Sequence, residues 1–469
     1  MTNARYWLTR LSLTCFVGLL GMSNAAVCQE TTTPAARSII LFIGDGFDDQ
    51  HVTMGRNYLA GQGGMLLLDT LPTRSAVQVE TVSPTGQPLY VADSANTATT
   101  IASGVVTNIG RVGTDSQDGD TLSIAEQASA MGLRTGLVST ASVTDATPAA
   151  FVAHVANRGC ENPVIILGGE LYGQSYAGCP QDALDNGGPG SIAEQIANAS
   201  IDIVLGGGRQ HFTTNQSGTS QTVKQLATDN GFSVVITEQE LLEADKNQPI
   251  LGLFADSHLP VKLRGSNGRK AQNPDVSWLN NVHSYLGSVE LPSTMNCEAN
   301  PDFEKTPRLA TLTEVAIEHL NNPKGFFLMV ESASIDKQSH RRNPCGSIGE
   351  IAQLEEALDV ALNYAEKHPE TLVIVTADHA QAAQIVPEPS LYDSLSIPVY
   401  SPGKIARINT PEGGVMRINY ATNNFVSEEH TGANVPLFAN APEGLVIPTF
   451  MRQRDLHKLM VNYLNLGQQ

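Results

Sequence analysis

The chain has 469 residues, of which 41% are hydrophobic, and 28 basic residues against 47 acidic ones give a formal charge of −19. That length and apolar content suffice for one large α/β enzyme domain. The acidic balance repels nucleic acid and anionic membrane surfaces, which excludes both as expected partners; a site for a phosphate ester would need metal cations or an arginine to reverse the field locally.

The N-terminus has the form of a secretory signal. Arg5 and Arg10 give a basic start, an apolar run from about Leu11 to Met22 follows, and the small residues around Ala25 and Ala26 offer cleavage sites. The run is too short to span a bilayer comfortably, so residues 1–25 are expected to be a removed signal rather than an anchor. Residues 26–37 are expected to be a flexible mature N-terminus, and 38–469 a single catalytic domain. No membrane anchor is expected, and the location is periplasmic or secreted. Of six cysteines, Cys15 leaves with the signal and Cys28 stays unpaired. Cys160 with Cys179 and Cys297 with Cys345 are the natural local disulfides in an oxidising compartment, although spacing alone does not prove the pairing.

In chain order, the continuous apolar run Ser38–Ile43 predicts a buried parallel strand. Further strands are predicted at Gly136–Val138, Ile201–Leu205, Phe326–Val330 and Leu372–Val375. Helical patterns lie between them at Leu122–Met131, Leu309–Leu320 and Ile348–Lys367. Alternating strands and helices imply a large, mostly parallel sheet with helices on both faces. The stretch 210–305 is rich in Asn, Ser, Gly and Pro and weakly periodic, so it is expected to be an inserted or crown-like region.

Chemistry concentrates after the strands. The first ends in Gly44-Asp45-Gly46, a later one in Glu331, and another in Thr376-Ala377-Asp378-His379. Ligands in open α/β sheets bind beyond the carboxyl ends of strands, and clustered carboxylates there repel unless cations lie among them. Asp336 and His340 are four apart, so on a helix they share a face and can reach one metal; mixed Asp and His donors suit zinc. Asp93-Ser94-Ala95 reads as the start of a helix. Ser94 there is either a simple cap or a hydroxyl facing free backbone N–H groups, and no histidine-based triad is apparent to activate it.

Asp93-Ser94-Ala95, Gly44-Asp45-Gly46, the run Glu331 to His340, Thr376 to His379 and Glu429-His430-Thr431-Gly432 together resemble the alkaline phosphatase family, in its bacterial periplasmic branch, across roughly residues 38–460. The resemblance implies phosphate monoester hydrolysis with two Zn2+ and one Mg2+. It makes Ser94 the nucleophile that forms a phosphoserine. Asp336, His340 and His430 would hold the first zinc, and Asp45, Asp378 and His379 the second. Asp45 would bridge to magnesium, with Thr147 and Glu331 as further ligands and Asp145 holding a magnesium-bound water. Arg158 would clamp two phosphate oxygens and Lys337 would reach phosphate through water. Broad small phosphate monoesters as substrates and a homodimer are also implied. Gln381 departs from the family pattern, where a histidine usually supports a zinc-ligating aspartate, and this predicts a looser first zinc. A phosphodiesterase or sulfatase of the same fold, or a periplasmic metal- or phosphate-binding protein without turnover, are the alternatives; Ser94 lacks the sulfatase motif and Arg158 favours monoesters.

Overall fold

A computed structural model describes residues 36–467 apart from Tyr172 and Ser396. The expected signal over 1–25, Cys15, Cys28 and most of the 26–37 segment lie outside the described residues. The central element is a ten-stranded sheet. In chain order its strands are β1 (Ser38–Gly44), β2 (Thr73–Gln78), β3 (Arg134–Ser142), β4 (Ile203–Gly207), β5 (Ser233–Val235), β6 (Ile250–Leu253), β7 (Phe326–Ser332), β8 (Thr371–Ala377), β9 (Val435–Ala439) and β10 (Phe450–Arg452). Their spatial order is β10-β2-β9-β8-β1-β7-β3-β4-β6-β5. Only β9 runs against its neighbours. β1, β7 and β8 are wholly buried along their length, which is why each is an unbroken apolar run rather than an alternating one.

Several helices start where a side chain caps them. Ser123 accepts from the Glu126 N–H while the Glu126 carboxylate accepts from the Ser123 N–H, beginning Ile124–Ala130. The helix Pro344–Lys367 starts four residues before its periodic pattern, because Pro344 fits the first turn, where its missing N–H costs nothing. Asp49–Leu59 packs on it at Gly55, where a Cβ would lie 2.7 Å from Ile351 Cγ2. Leu309–Leu320 has the bounds its periodicity predicts.

The stretch 210–305 is not uniform. Its first part supplies β5 and β6, the edge of the central sheet, and these strands of three and four residues are too short to leave a readable period. The later part forms small antiparallel pairs, Leu263–Gly265 with Cys297–Ala299 and Asp275–Val276 with Val289–Glu290. The first pair packs through Leu263 and Cys297 on a second, smaller core containing Met295, Ile348, Ile408, Met416 and Ile418. Cys297–Cys345 ties that region to the long helix, and Cys160–Cys179 closes a loop near the site; both disulfides are formed.

His154, expected to be a core or supporting histidine, links two loops to a helix. Its Nδ1 lies 2.8 Å from the Gly113 carbonyl and its Nε2 2.9 Å from Glu126 Oε1. Burial alone would lower its pKa, but the Glu126 carboxylate and the Gly113 carbonyl raise it to about 9. A raised folded pKa gives stability that is complete below the unfolded value, about 6.5, and is lost as pH rises through about 9. His154→Gln should therefore cost on the order of 1–3 kcal/mol at pH 6, progressively less between about pH 6.5 and 9, and almost nothing above that. Thermal unfolding of both proteins at pH 6, 8 and 10 measures this; a deficit independent of pH would show that the ion pair contributes nothing.

Candidate active site

The parallel register builds the site. Gly44 of β1 lies opposite Ser332 of β7 and Ala377 of β8, so Asp45 and Asp378 leave neighbouring strands side by side, and Glu331 sits one residue earlier. All three carboxylates are buried. Gly46 then turns with φ of +68°, where a Cβ would come within 3.0 Å of Gln381 and 3.1 Å of Asp336. Its N–H donates to Asp378 Oδ1 at 3.0 Å, as does the His379 N–H at 2.8 Å.

Two donor clusters follow from this arrangement. In one, His379 Nε2 lies 3.4 Å from Asp45 Oδ1 and 3.4 Å from Asp378 Oδ2. His379 Nδ1 faces the Ala380 carbonyl at 3.2 Å, which places the ring proton there and turns the Nε2 lone pair toward the carboxylates. Asp378 Oδ2 has no hydrogen-bond partner although it is buried. In the other, the helix Ser334–His340 brings Asp336 and His340 together, with His340 Nε2 at 3.2 Å from Asp336 Oδ2. His430 arrives from a distant loop because His430–Thr431 pairs antiparallel with Ala380–Gln381. Its Nε2 lies 3.5 Å from Asp336 Oδ1 and 3.1 Å from His340 Nε2. The two clusters touch, since the His379 and His430 rings stack at 3.7 Å.

Ser94 stands at their edge. The expectation that it might simply cap its helix is corrected, because Asp93 is the cap: it accepts from the Asn96 N–H, and Ser94 is the first residue of the helix Ser94–Ser103. The Ser94 hydroxyl is thus released toward the donors, 3.1 Å from His379 Nε2 and 3.4 Å from Asp45 Oδ1. Although Ser94 touches a histidine, no carboxylate orients His379 from its Nδ1 side, so this is not a triad.

A cationic arm closes the other side. Asp145 accepts from Lys337 Nζ at 2.6 Å and from Arg158 at 2.8 Å, and Arg158 also reaches Asp93 at 3.5 Å. Burial opposes ionisation of Asp145, yet Lys337 and Arg158 hold its pKa well below the usual range. Against burial, Asp336 is likewise held well below the usual range by His340, His430 and His379, whereas Asp45, Asp378 and Glu331 lack enough compensation. Burial, then Asp378 and Asp336, push Asp45 well up, and burial pushes Asp378 to about 6 and Glu331 to about 8. Burial depresses His379 and His430 to about 4, keeping both neutral and able to ligate. Thr147 Oγ1 is buried without a partner.

Several supporting residues were not anticipated. Asp93 both caps the helix and holds Arg158; an Asp directly before a helix start was the available signal. His258 lies 3.9 Å from Asp145 and Ser139 donates to Glu331, with no sequence signal for either. Arg342 grips Glu428, whose carbonyl meets His340 Nδ1.

The alkaline phosphatase family model matches residues 36–424. The chain belongs to the alkaline phosphatase family. It is 40% identical over 460 residues to an alkaline phosphatase of Escherichia coli (strain K12), covering 96% of this chain and 90% of that one. It is also 40% identical over 428 residues to a streptomycin-6-phosphate phosphatase of Streptomyces griseus, covering 89% and 88%. In fold it resembles the solved alkaline phosphatase of the Antarctic bacterium TAB5, with a TM-score of 0.64, 20% identity, and coverage of 92% of this chain and 100% of that one. Membership in the alkaline phosphatase family makes the protein a phosphoric monoester hydrolase, and the family and the clustered donors together mark it as metal-dependent.

Gln381 is the informative departure. Its Oε1 accepts from the Ala382 N–H at 2.7 Å, which turns its Nε2 to donate to Asp336 Oδ1 at 2.5 Å. The amide therefore keeps a donor on the aspartate, and the looser first zinc expected from the sequence loses its physical reason. Gln381→His should change zinc affinity by less than about 3-fold, whereas Gln381→Leu, which removes the donor, should weaken it about 10–100-fold. Competition with a chromogenic chelator measures both; a large gain from histidine would restore the sequence-based expectation.

Proposed function

We propose that the chain hydrolyses phosphate monoesters through a phosphoserine formed on Ser94, in a site that holds two zinc ions and one magnesium ion. The observation that carries this is the convergence of the Ser94 hydroxyl, two carboxylates and the His379 Nε2 lone pair at contacts of 3.1–3.4 Å, with the buried Asp378 Oδ2 left without a hydrogen-bond partner. Asp336, His340 and His430 would hold the first zinc, and Asp45, Asp378 and His379 the second; their mixed imidazole and carboxylate donors suit zinc. Asp45, Thr147 and Glu331 would hold magnesium, with Asp145 orienting water on it; hard oxygens suit that ion, and the unpartnered Thr147 Oγ1 is such a donor. When bound, the zinc ions would supply Lewis acidity toward the attacking and leaving oxygens.

The chain's own residues do the remainder. The Arg158 fork is held by Asp93 and Asp145 with its charge in the site, ready to take two phosphate oxygens. Lys337, placed by Asp145, adds a second cation that reaches phosphate through water. Ser94 Oγ attacks phosphorus as its proton leaves, the ester P–O bond breaks and the alcohol departs with a proton. Water then attacks the phosphoserine, releasing inorganic phosphate and restoring the Ser94 hydroxyl. Two in-line displacements give net retention at phosphorus. Small monoesters of broad range are the expected substrates, because the described groups address the phosphate. An exported protein, periplasmic or secreted, fits the two disulfides, and no described helix is long and apolar enough to cross a membrane. The homodimer rests on family resemblance.

Ser94→Ala should lower kcat for p-nitrophenyl phosphate by about 10³-fold or more while zinc content, counted by elemental analysis, stays unchanged. Retained hydrolysis would overturn the phosphoserine route, and wild-type preference for the bis(p-nitrophenyl) ester would favour a diesterase.

A further inference from the structure

Arg341 follows Lys337 by four residues at the end of the helix Ser334–His340, and its N–H still bonds the Lys337 carbonyl at 3.3 Å. It therefore stands on the Lys337 face, one turn farther from the buried carboxylates. Arg341 is exposed, and among the described arginines only Arg341 and Arg452 have no side-chain hydrogen bond or ion pair. Its neighbour Arg342 is the opposite case, buried and bonded to Glu428, Asn423 and two carbonyls. In a chain with 47 acidic residues and 28 basic ones, most arginines find a carboxylate.

His258 completes the place. Its Nδ1 accepts from the Ser142 N–H at 3.1 Å, so the ring proton sits on Nε2, which has no partner among the described residues. The side chain is 32% exposed. His258 Nδ1 lies 3.9 Å from Asp145 Oδ2, the oxygen that Lys337 Nζ meets at 2.6 Å, so His258 and the Lys337 ammonium flank one carboxylate and Arg341 stands one helical turn beyond.

We propose that Arg341 and His258 form a second anion subsite beside the phosphate-clamping residues and select phosphate monoesters whose leaving group carries another anionic group, such as a second phosphate. A guanidinium without a carboxylate and a free imidazole N–H provide the charge and the directed donor that such a group requires. Lys337, Arg158 and His258 all adjoin Asp145, so the reacting phosphate and the second anion would both face cations. The inference rests on phosphate monoester turnover at Ser94.

The test compares butyl phosphate with butane-1,4-diol bisphosphate on the metal-loaded enzyme. The wild type should favour the bisphosphate in kcat/KM beyond the two-fold that its two equivalent esters give. The preference should be carried by KM and should fall as salt rises from 50 to 500 mM. Arg341→Ala should reduce the ratio of the two kcat/KM values about 3–10-fold, Arg341→Lys should retain part of it, and His258→Ala should also reduce it. Equal losses on both substrates, or an unchanged ratio in Arg341→Ala, would overturn the subsite. Failure of the wild type to hydrolyse butyl phosphate at all would instead overturn the monoesterase reading, and the subsite with it.

Discussion

The structure depends on one electrostatic constraint: oxygen and nitrogen lone pairs converge, buried, at the carboxyl ends of β1 and β8. Asp45 Oδ1, Asp378 Oδ2 and His379 Nε2 lie within 3.4 Å contacts, and Asp336 with His340 and His430 repeats the pattern alongside. Two like charges about 4 Å apart repel by roughly 4 kcal/mol at an effective dielectric of 20. Protons can relieve this only in part, since burial already drives Asp45, Asp378 and Glu331 toward their neutral forms and His379 and His430 toward theirs. Divalent cations remove the repulsion and turn it into affinity. The strain of bringing these groups together is met by a rigid sheet whose register sets their spacing to within a residue.

Around that cluster, side chains are tied so that each donor has one orientation. Gly46 and the His379 N–H occupy Asp378 Oδ1 and leave Oδ2 free. Asp93 takes the capping role and frees Ser94. Gln381, anchored by a backbone N–H, aims its amide at Asp336. Arg342 and Glu428 form a buried pair whose worth lies less in stability than in fixing the loop that carries His430 and the carbonyl facing His340. These contacts act on metal affinity through geometry, as outer partners of metal ligands generally do.

Much of this was legible in the sequence, for identifiable reasons. Buried parallel strands are apolar throughout, so β1, β7 and β8 and the acids that follow them could be read directly, as could the Asp336–His340 pair on one helix face. What could not be read depends on distant pairing. β5 and β6 are too short to carry a period. His430 was placed only through the family resemblance, because the two-residue bridge to Ala380–Gln381 that brings it to the site leaves no local pattern. For Gln381, residue identity alone does not reveal which way the amide points; the Ala382 N–H decides it. His258 enters from the loop after β6, and its proximity to Asp145 is purely tertiary.

The acidity of the chain sets the terms on which it can receive an anion. A formal charge of −19 repels phosphate at a distance, so attraction must be local and short-ranged. The described arginines away from the site are largely neutralised: Arg56 by Asp69, Arg74 by Asp49, Arg417 by Glu388. Arg158 and Lys337 are paired too, but with Asp145, a carboxylate whose pull keeps both cations charged and in place beside Ser94 rather than cancelling them at the surface. The positive ground of the site is thus made by arrangement, with net charge working against it. On such a background an uncompensated guanidinium one helical turn beyond Lys337 would extend the attractive region outward.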